Sequence, residues 1–433
     1  MNDEEPTMRV KIEGFRAIGS ADLIIDGITL VAGENGCGKS TLSKLLYFLY
    51  KTVSNYDLLV SQAAWWELKN ICYHLERLFD FTLPRGLSGK RDGIEDDTTR
   101  EFNEILRSFK SKDQKVLSEE ELNKIMLLLE KLEISRLKRI GREFPEIGGN
   151  IDEEPDKLFQ KFREQIVSTF KEAFGKMQSR PASLFWNGLK KIFNENKPTN
   201  FEVYEHKDQI ISLNSIELSS SLSVDNTVYI DTPMAIGIER ENEYWDDLNE
   251  LLKTKDKTPL FQENKYSNLS DLISKEIIQG EVSLKNDVLS HKFSFQRADG
   301  KTFDLLECAT GIKSFSILQI LLNNGSLTNR TLLIIDEPES NLHPQWIIEY
   351  ARVLVLLHKH IGVKIFLASH NPDMVSAIKY ISEEQGIQNN VNFYLAEKTN
   401  KEYSYNYKHL KQDIEPIFAS FNIAIDRINE YGV

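Results

Sequence analysis

An α/β fold is predicted, built on a mixed sheet with an antiparallel β subdomain and interrupted by one long helical insertion. Three observations in the 433 residues predict it. First, Gly33-Glu34-Asn35-Gly36-Cys37-Gly38-Lys39-Ser40 stands between an apolar run, Ile28 to Val31, and an apolar helical run, Thr41 to Tyr50. Second, two further apolar runs end in polar residues, Thr331 to Ile335 in Asp336-Glu337 and Val363 to Ala368 in Ser369-His370. Short, uniformly apolar runs read as strands buried on both faces of a sheet. Third, the pattern from about Lys51 to Lys197 is helical.

Composition sets the bounds. A hydrophobic content of 41% and a charged content of 27% suit a globular chain long enough for two or three domains. The formal net charge of −13 disfavours a sequence-blind nucleic-acid binder, whose affinity rests on neutralising phosphates, though a local basic groove stays open. Three cysteines without a CxxC pair, no apolar leader and no run long enough to span a bilayer together predict a cytoplasmic protein with no membrane attachment.

Taken in order, Met8 to Glu13 alternates apolar and charged residues, as a half-buried strand does. A second strand is expected near Ala21 to Ile25, with a turn at Asp26-Gly27, so three strands precede the helix. The glycine-rich loop between them fits G-x-x-x-x-G-K-[ST] at every specified position, and it follows a strand and opens a helix as that motif requires. Gly33, Glu34, Asn35, Gly36, Cys37 and Gly38, with Thr41 at the helix start, are expected to cradle phosphates with backbone N–H groups. Lys39 would reach the β- and γ-phosphates and Ser40 would ligate Mg²⁺. Cys37 has two readings, an oxidisable switch and a small tolerated residue, and the second is preferred.

The insertion is placed at 51–199, dividing a head made of 1–50 and 200–433. Within it Ser118-x-x-Glu121 has the form of a capping box before Leu122, Ile125, Leu129 and Leu132. That helix is expected to run to about Arg142, with others over Glu154 to Met177 and Ser183 to Phe193. Two heptads are too short for a long coiled-coil arm, so a compact bundle or partner-docking arm is expected. Lys131, Arg136, Lys138, Arg139 and Arg142 form either a nucleic-acid contact or a solvated face balanced by Glu119, Glu120, Glu130 and Glu133, with the second preferred.

Beyond the insertion, Thr227 to Thr232 is a β-branched run stopped by Pro233, and Glu239 to Lys253 is expected to be helical. Gly280 to Leu284, Lys292 to Gln296 and Lys301 to Leu305 suggest short antiparallel strands with a turn at Asp299-Gly300. Thr310-Gly311-Ile312-Lys313 opens a strongly apolar helix that ends at Asn323-Asn324-Gly325. An apolar strand would deliver Asp336 to the sheet edge beside the phosphate loop, where it can hold the Mg²⁺ shell. Glu337 would then orient the attacking water as general base, and His370 would hydrogen-bond the γ-phosphate or Glu337 and so sense nucleotide state. A closing hairpin is expected over Val391 to Glu397 and Glu402 to Tyr407, and a helix near Asp413 to Ile428.

The order of these pieces resembles the ABC-type ATPase head of the SMC/RecF/OLD class. Within that class, Ala309-Thr-Gly-Ile-Lys-Ser314, Leu333-Ile-Ile-Asp-Glu-Pro-Glu-Ser-Asn-Leu-His-Pro-Gln-Trp346 and Phe366-Leu-Ala-Ser-His-Asn-Pro-Asp-Met-Val375 look like the ATPases of bacterial anti-phage operons. The Septu ATPase is the nearer likeness and the PARIS ATPase the second. The resemblance implies ATP with Mg²⁺, a homo-oligomer of nucleotide-sandwich dimers, and a separate nuclease or effector subunit of HNH type. Nucleic acid would be reached through the complex. It places Thr310, Gly311 and Lys313 at the signature segment that meets the γ-phosphate of the opposite protomer, and Asn341 and His343 in the loop that communicates across the dimer. Ile312 departs from the usual second glycine, and the usual Q-loop glutamine has no counterpart where the strand ends at Asp231-Thr232-Pro233. Leu87-Ser88-Gly89-Lys90 looks more like the transporter signature but precedes no apolar helix, so it is read as a surface loop. Nothing after His370 is long enough for a nuclease domain, so nuclease action is expected from a partner. The alternative is a RecF- or SMC-like DNA-repair or DNA-clamping ATPase; a transporter subunit is third.

Overall fold

In a computed structural model of the chain, the structure describes residues 7–81, 116–127, 129–130, 154–194, 197–238, 242–254, 263–287 and 290–419. These fall into two compact units, Met1–Ser54 with Ala182–Val433, and Asn55–Pro181.

The first unit is built on a ten-stranded mixed sheet. Its strands are β1 (Met8–Phe15), β2 (Ile18–Ile24), β3 (Ile28–Ala32), β4 (Asn200–Glu205), β5 (Asp208–Ser212), β6 (Asn226–Ile230), β10 (Thr331–Asp336), β11 (Lys364–Ser369), β12 (Val391–Lys398) and β13 (Tyr405–Lys411). They lie in the order β5-β4-β1-β2-β13-β12-β3-β11-β10-β6. From β12 to β6 all neighbours are parallel. Every residue of β3 and β10 is buried, as uniformly apolar runs require when helices cover both faces. On β1 the alternation holds: Met8, Val10 and Ile12 are buried, while Arg9 and Lys11 pair outward with Asp22 and Glu202. A separate antiparallel sheet, β7 (Gly280–Asp287), β8 (Ser290–Arg297) and β9 (Thr302–Asp304), is the antiparallel subdomain the sequence predicts.

Two strands were not anticipated. β4 and β5 extend the sheet beyond β1, with Phe201 and Val203 turned inward. The helix Ser183–Phe193, expected in the insertion, packs within the first unit instead. Its reason is aromatic: Phe185 is fully buried, stacked on Phe48 of the helix Lys39–Ser54 at 5.4 Å and on Phe201 at 5.7 Å. The helix expected from Glu239 starts at Glu243, because the Asn242 side chain caps it by accepting from the Trp245 N–H.

In the second unit the helices Tyr56–Phe81 and Glu154–Ser179 bury Val60, Ala64 and Leu68 on the one and Ile166, Phe170 and Ala173 on the other. Trp65 meets Phe170 edge-on at 6.4 Å. The capping box is present in both arms. The Ser118 N–H donates to Glu121 Oε2 at 3.1 Å, and the Glu121 N–H to Ser118 Oγ at 3.4 Å. The continuation to Arg142 with its basic residues, the loop Leu87-Lys90 and the C-terminal helix beyond residue 419 lie outside the described residues. Among the described residues no helix is long and apolar enough to cross a membrane.

Phe185→Ala is expected to lower stability by about 3–5 kcal/mol, the range for emptying a fully buried aromatic site. A urea midpoint unmoved by that substitution would contradict the assignment of this helix to the head.

Candidate active site

Strand register assembles the site. β11 lies between β3 and β10, with Asp336 opposite Ala368 and Ala368 opposite Val31. The C-terminal ends of the three strands therefore stop level with one another, and the phosphate loop, the acid pair and His370 all begin there. Ligands of open α/β sheets bind at this edge.

The phosphate loop is held from two sides. Lys39, only 6% exposed, donates from Nζ to the carbonyls of Gly33 at 2.8 Å and Glu34 at 3.0 Å. Behind the loop the Tyr407 hydroxyl of β13 donates to the Cys37 carbonyl at 2.8 Å. Gly38 has φ +100°, which a side chain resists, and an added Cβ there would also lie 3.2 Å from the Tyr407 oxygen. Cys37 is fully buried, and burial pushes its thiol up, away from the reactive thiolate. Of its two readings, the small tolerated residue is the one this environment supports.

Asp336 is 7% exposed and has two contrasting oxygens. Oδ2 accepts from the Tyr229 hydroxyl of β6 at 3.4 Å, while Oδ1 is buried without a protein partner among the described residues. Burial pushes this carboxyl up and the neighbouring Glu337 adds to that push, while the Ser40 side chain, Lys39 and Lys44 oppose it. A hydroxyl and a buried carboxylate with a spare oxygen are hard donors of the kind Mg²⁺ takes alongside phosphate and water. Among the described residues no group of three or more His, Cys, Asp and Glu could hold a metal. A cation here would therefore lean on substrate oxygens as well as on Ser40 and Asp336.

Glu337 follows with φ +53°, a left-handed conformation that is strained for a side chain of this kind. Its N–H donates to the Ala368 carbonyl at 2.8 Å, which ties the turn to β11. Its side chain is 44% exposed, and its Oε1 lies 3.7 Å from His370 Nδ1. Glu339, absent from the sequence-based site, approaches the same ring nitrogen at 3.3 Å from a buried position. The turn then continues to Asn341 and His343, both exposed, with the His343 ring capping the helix Pro344–Ile361.

The segment Thr310–Lys313 starts the helix Thr310–Asn323 as expected, with Thr310 half-buried. Gly311 is required by close packing, since a Cβ there would lie 2.6 Å from the Trp346 ring. Lys313, expected to face phosphate, is only 4% exposed, with Nζ 3.8 Å from Met234 Sδ. At the end of β6, where a Q-loop glutamine would stand, Asp231 accepts from Trp245 Nε1 at 2.8 Å and Thr232 caps the Pro233–Ala235 turn. The residue of β6 that reaches the acid pair is Tyr229. It packs tilted against Tyr47 and edge-on against Tyr244, and the Tyr47 hydroxyl and Lys51 both bond Asp247. Tyr229 and Tyr407 carry no local sequence signal, because each acts across the sheet.

A family model described as an AAA ATPase domain matches residues 8–375. Among curated proteins no relative matches the chain. Solved structures of similar shape include an Smc head domain with an extended coiled coil bound to the C-terminal domain of ScpA, from Pyrococcus furiosus. That pair shares 10% identity over 98% of this chain and 99% of the other, with a TM-score of 0.36. The SMC head domain from Thermotoga maritima shares 9% identity over 92% and 97%, also at 0.36. The cbiO1 protein of Clostridium perfringens, part of an ABC transporter complex, shares 16% over 57% and 81%, at 0.29.

Lys39→Ala is expected to abolish measurable nucleotide binding in a titration with a fluorescent ATP analogue. Tyr407→Phe leaves the Cys37 carbonyl unpaired, a loss of about 1 kcal/mol, and is expected to weaken nucleotide binding about fivefold with the fold intact.

Proposed function

From a chain that belongs to the AAA ATPase domain family and so hydrolyses ATP, we propose an ABC-type ATPase subunit of a bacterial anti-phage defence complex. It works as nucleotide-sandwich dimers or a larger homo-oligomer and regulates a separate nuclease or effector subunit, HNH type favoured. The observation that carries the ATPase mechanism is the level register of β3, β11 and β10, which gathers phosphate loop, acid pair and histidine at one edge. The defence role is supported by the motif strings quoted above, and the acidic net charge of −13 favours it over direct DNA clamping.

In this mechanism the phosphate-loop amides and Lys39 bind the triphosphate. Ser40 and Asp336 would hold Mg²⁺, which when bound neutralises charge on the β- and γ-phosphates. Glu337, aimed by its left-handed backbone and well exposed, takes a proton from the attacking water. His370 lies beside it and meets the γ-phosphate. Each pocket is completed in trans by the start of the helix Thr310–Asn323, where Thr310 and the helix N-terminus supply donors to phosphate. Lys313, behind Met234, contributes positive potential rather than a contact. The second unit is the partner-docking arm in this reading.

Glu337→Gln is expected to retain ATP, lose hydrolysis by about 10²–10⁴-fold, and hold the dimer together in ATP by light scattering. Faster dissociation of that variant than of wild type would count against the sandwich. ATPase turnover per chain should rise with protein concentration as dimers form. Stimulation by double-stranded DNA with no partner present would favour a RecF- or SMC-like clamp instead.

A further inference from the structure

The mechanism leaves one buried acid of the acid-pair turn unused. Glu339 has a side chain only 4% exposed, and among the described residues no lysine or arginine pairs with it. Its Oε1 faces two hydrogen-bond donors and one ring nitrogen at the end of β11, and that nitrogen, Nδ1 of His370, is buried without a hydrogen-bond partner among the described residues. The Ser369 hydroxyl donates at 2.9 Å and the backbone N–H of His370 at 3.0 Å, and His370 Nδ1 lies 3.3 Å away. Burying a carboxylate without a cation is unfavourable unless hydrogen bonds offset it. The serine and the backbone N–H would suffice to tie the turn to the strand. They do not explain why the imidazole also turns Nδ1 towards this carboxylate.

That ring nitrogen has a second acid near it, Glu337 Oε1 at 3.7 Å. A nitrogen lone pair facing two carboxylate oxygens is repelled, whereas an N–H there is attracted by both. We infer that Glu339 is the positioning residue that keeps an N–H on Nδ1 of His370 and fixes the ring plane, so that Nε2 is the nitrogen turned to the nucleotide and donates to the γ-phosphate when the ring carries its second proton. Glu337, half-exposed, is free to serve the water, and the buried Glu339 holds the ring while it does so. The inference rests on His370 acting at the γ-phosphate, and it adds the group through which the acid-pair turn and the histidine are mechanically one unit.

A double-mutant cycle tests it. Glu339→Gln keeps the side-chain shape and an oxygen for Ser369 and the His370 N–H, but it puts a neutral amide where the carboxylate charge holds the N–H of Nδ1. Expected is a fall in kcat of about 100-fold with KM for ATP within about twofold, and recovery of most of it in Glu339→Asp. In a His370→Ala background Glu339→Gln should change kcat by less than about twofold. An equal loss in both backgrounds would overturn the inference while leaving the proposed function standing; an unchanged kcat in His370→Ala alone would remove the histidine's role and this inference with it. A measurement on the wild-type protein needs no variant to fold. With ¹⁵N-labelled histidine, the His370 resonances should show a proton on Nδ1, and a ring protonated only on Nε2 would overturn the assignment.

Discussion

The hydrogen-bond register of three parallel strands is the constraint on which the chemistry depends. β11 carries no phosphate-binding or metal-binding residue, yet its placement between β3 and β10 sets how far the loop and the acid pair lie from the histidine. A slip by one residue on either side would displace one partner by roughly 3.3 Å and turn its side chains to the other face of the sheet. Complete burial of β3 and β10 resists such a slip, because the close packing on both faces would have to be remade.

Around that frame the molecule concentrates its unfavourable features. A lysine and two carboxylates are almost fully buried within one short edge, two of their oxygens have no partner among the described residues, and a glutamate sits at positive φ. Each would destabilise an ordinary surface or core, and the surrounding structure offsets them by local bonds: loop carbonyls on Lys39, the Tyr229 hydroxyl on Asp336, the Ser369 hydroxyl and His370 N–H on Glu339. The pattern is that of an edge preorganised for a charged ligand rather than for stability.

What could be read from the residues alone followed from how local each signal is. The phosphate loop was legible because strand, glycines and helix are contiguous, and the acid pair and histidine because apolar runs end abruptly in polar residues. Glu339 was visible as a letter but reads as an exposed turn acid; only the neighbouring strand shows it to be buried. Tyr229 reaches Asp336 across 107 residues and Tyr407 reaches Cys37 across 370, distances at which periodicity says nothing. The helix Ser183–Phe193 has the same pattern whether it belongs to the arm or the head, and stacking of Phe185 on Phe48 and Phe201 decides it. Lys313 looked available for phosphate because its type suits that work, but its position on the helix turns it inward beneath Met234.

The bond from Tyr407 to the Cys37 carbonyl carries a consequence for biogenesis. β2 and β3, made early, take their neighbours β13 and β12 from sequence made late, so the sheet cannot close in the order of translation. A nascent chain emerging from the ribosome carries its glycine-rich loop unsupported for most of its synthesis, and that loop gains its backing only when β13 emerges. Completion of the loop's backing is thus a late event in the synthesis of each molecule.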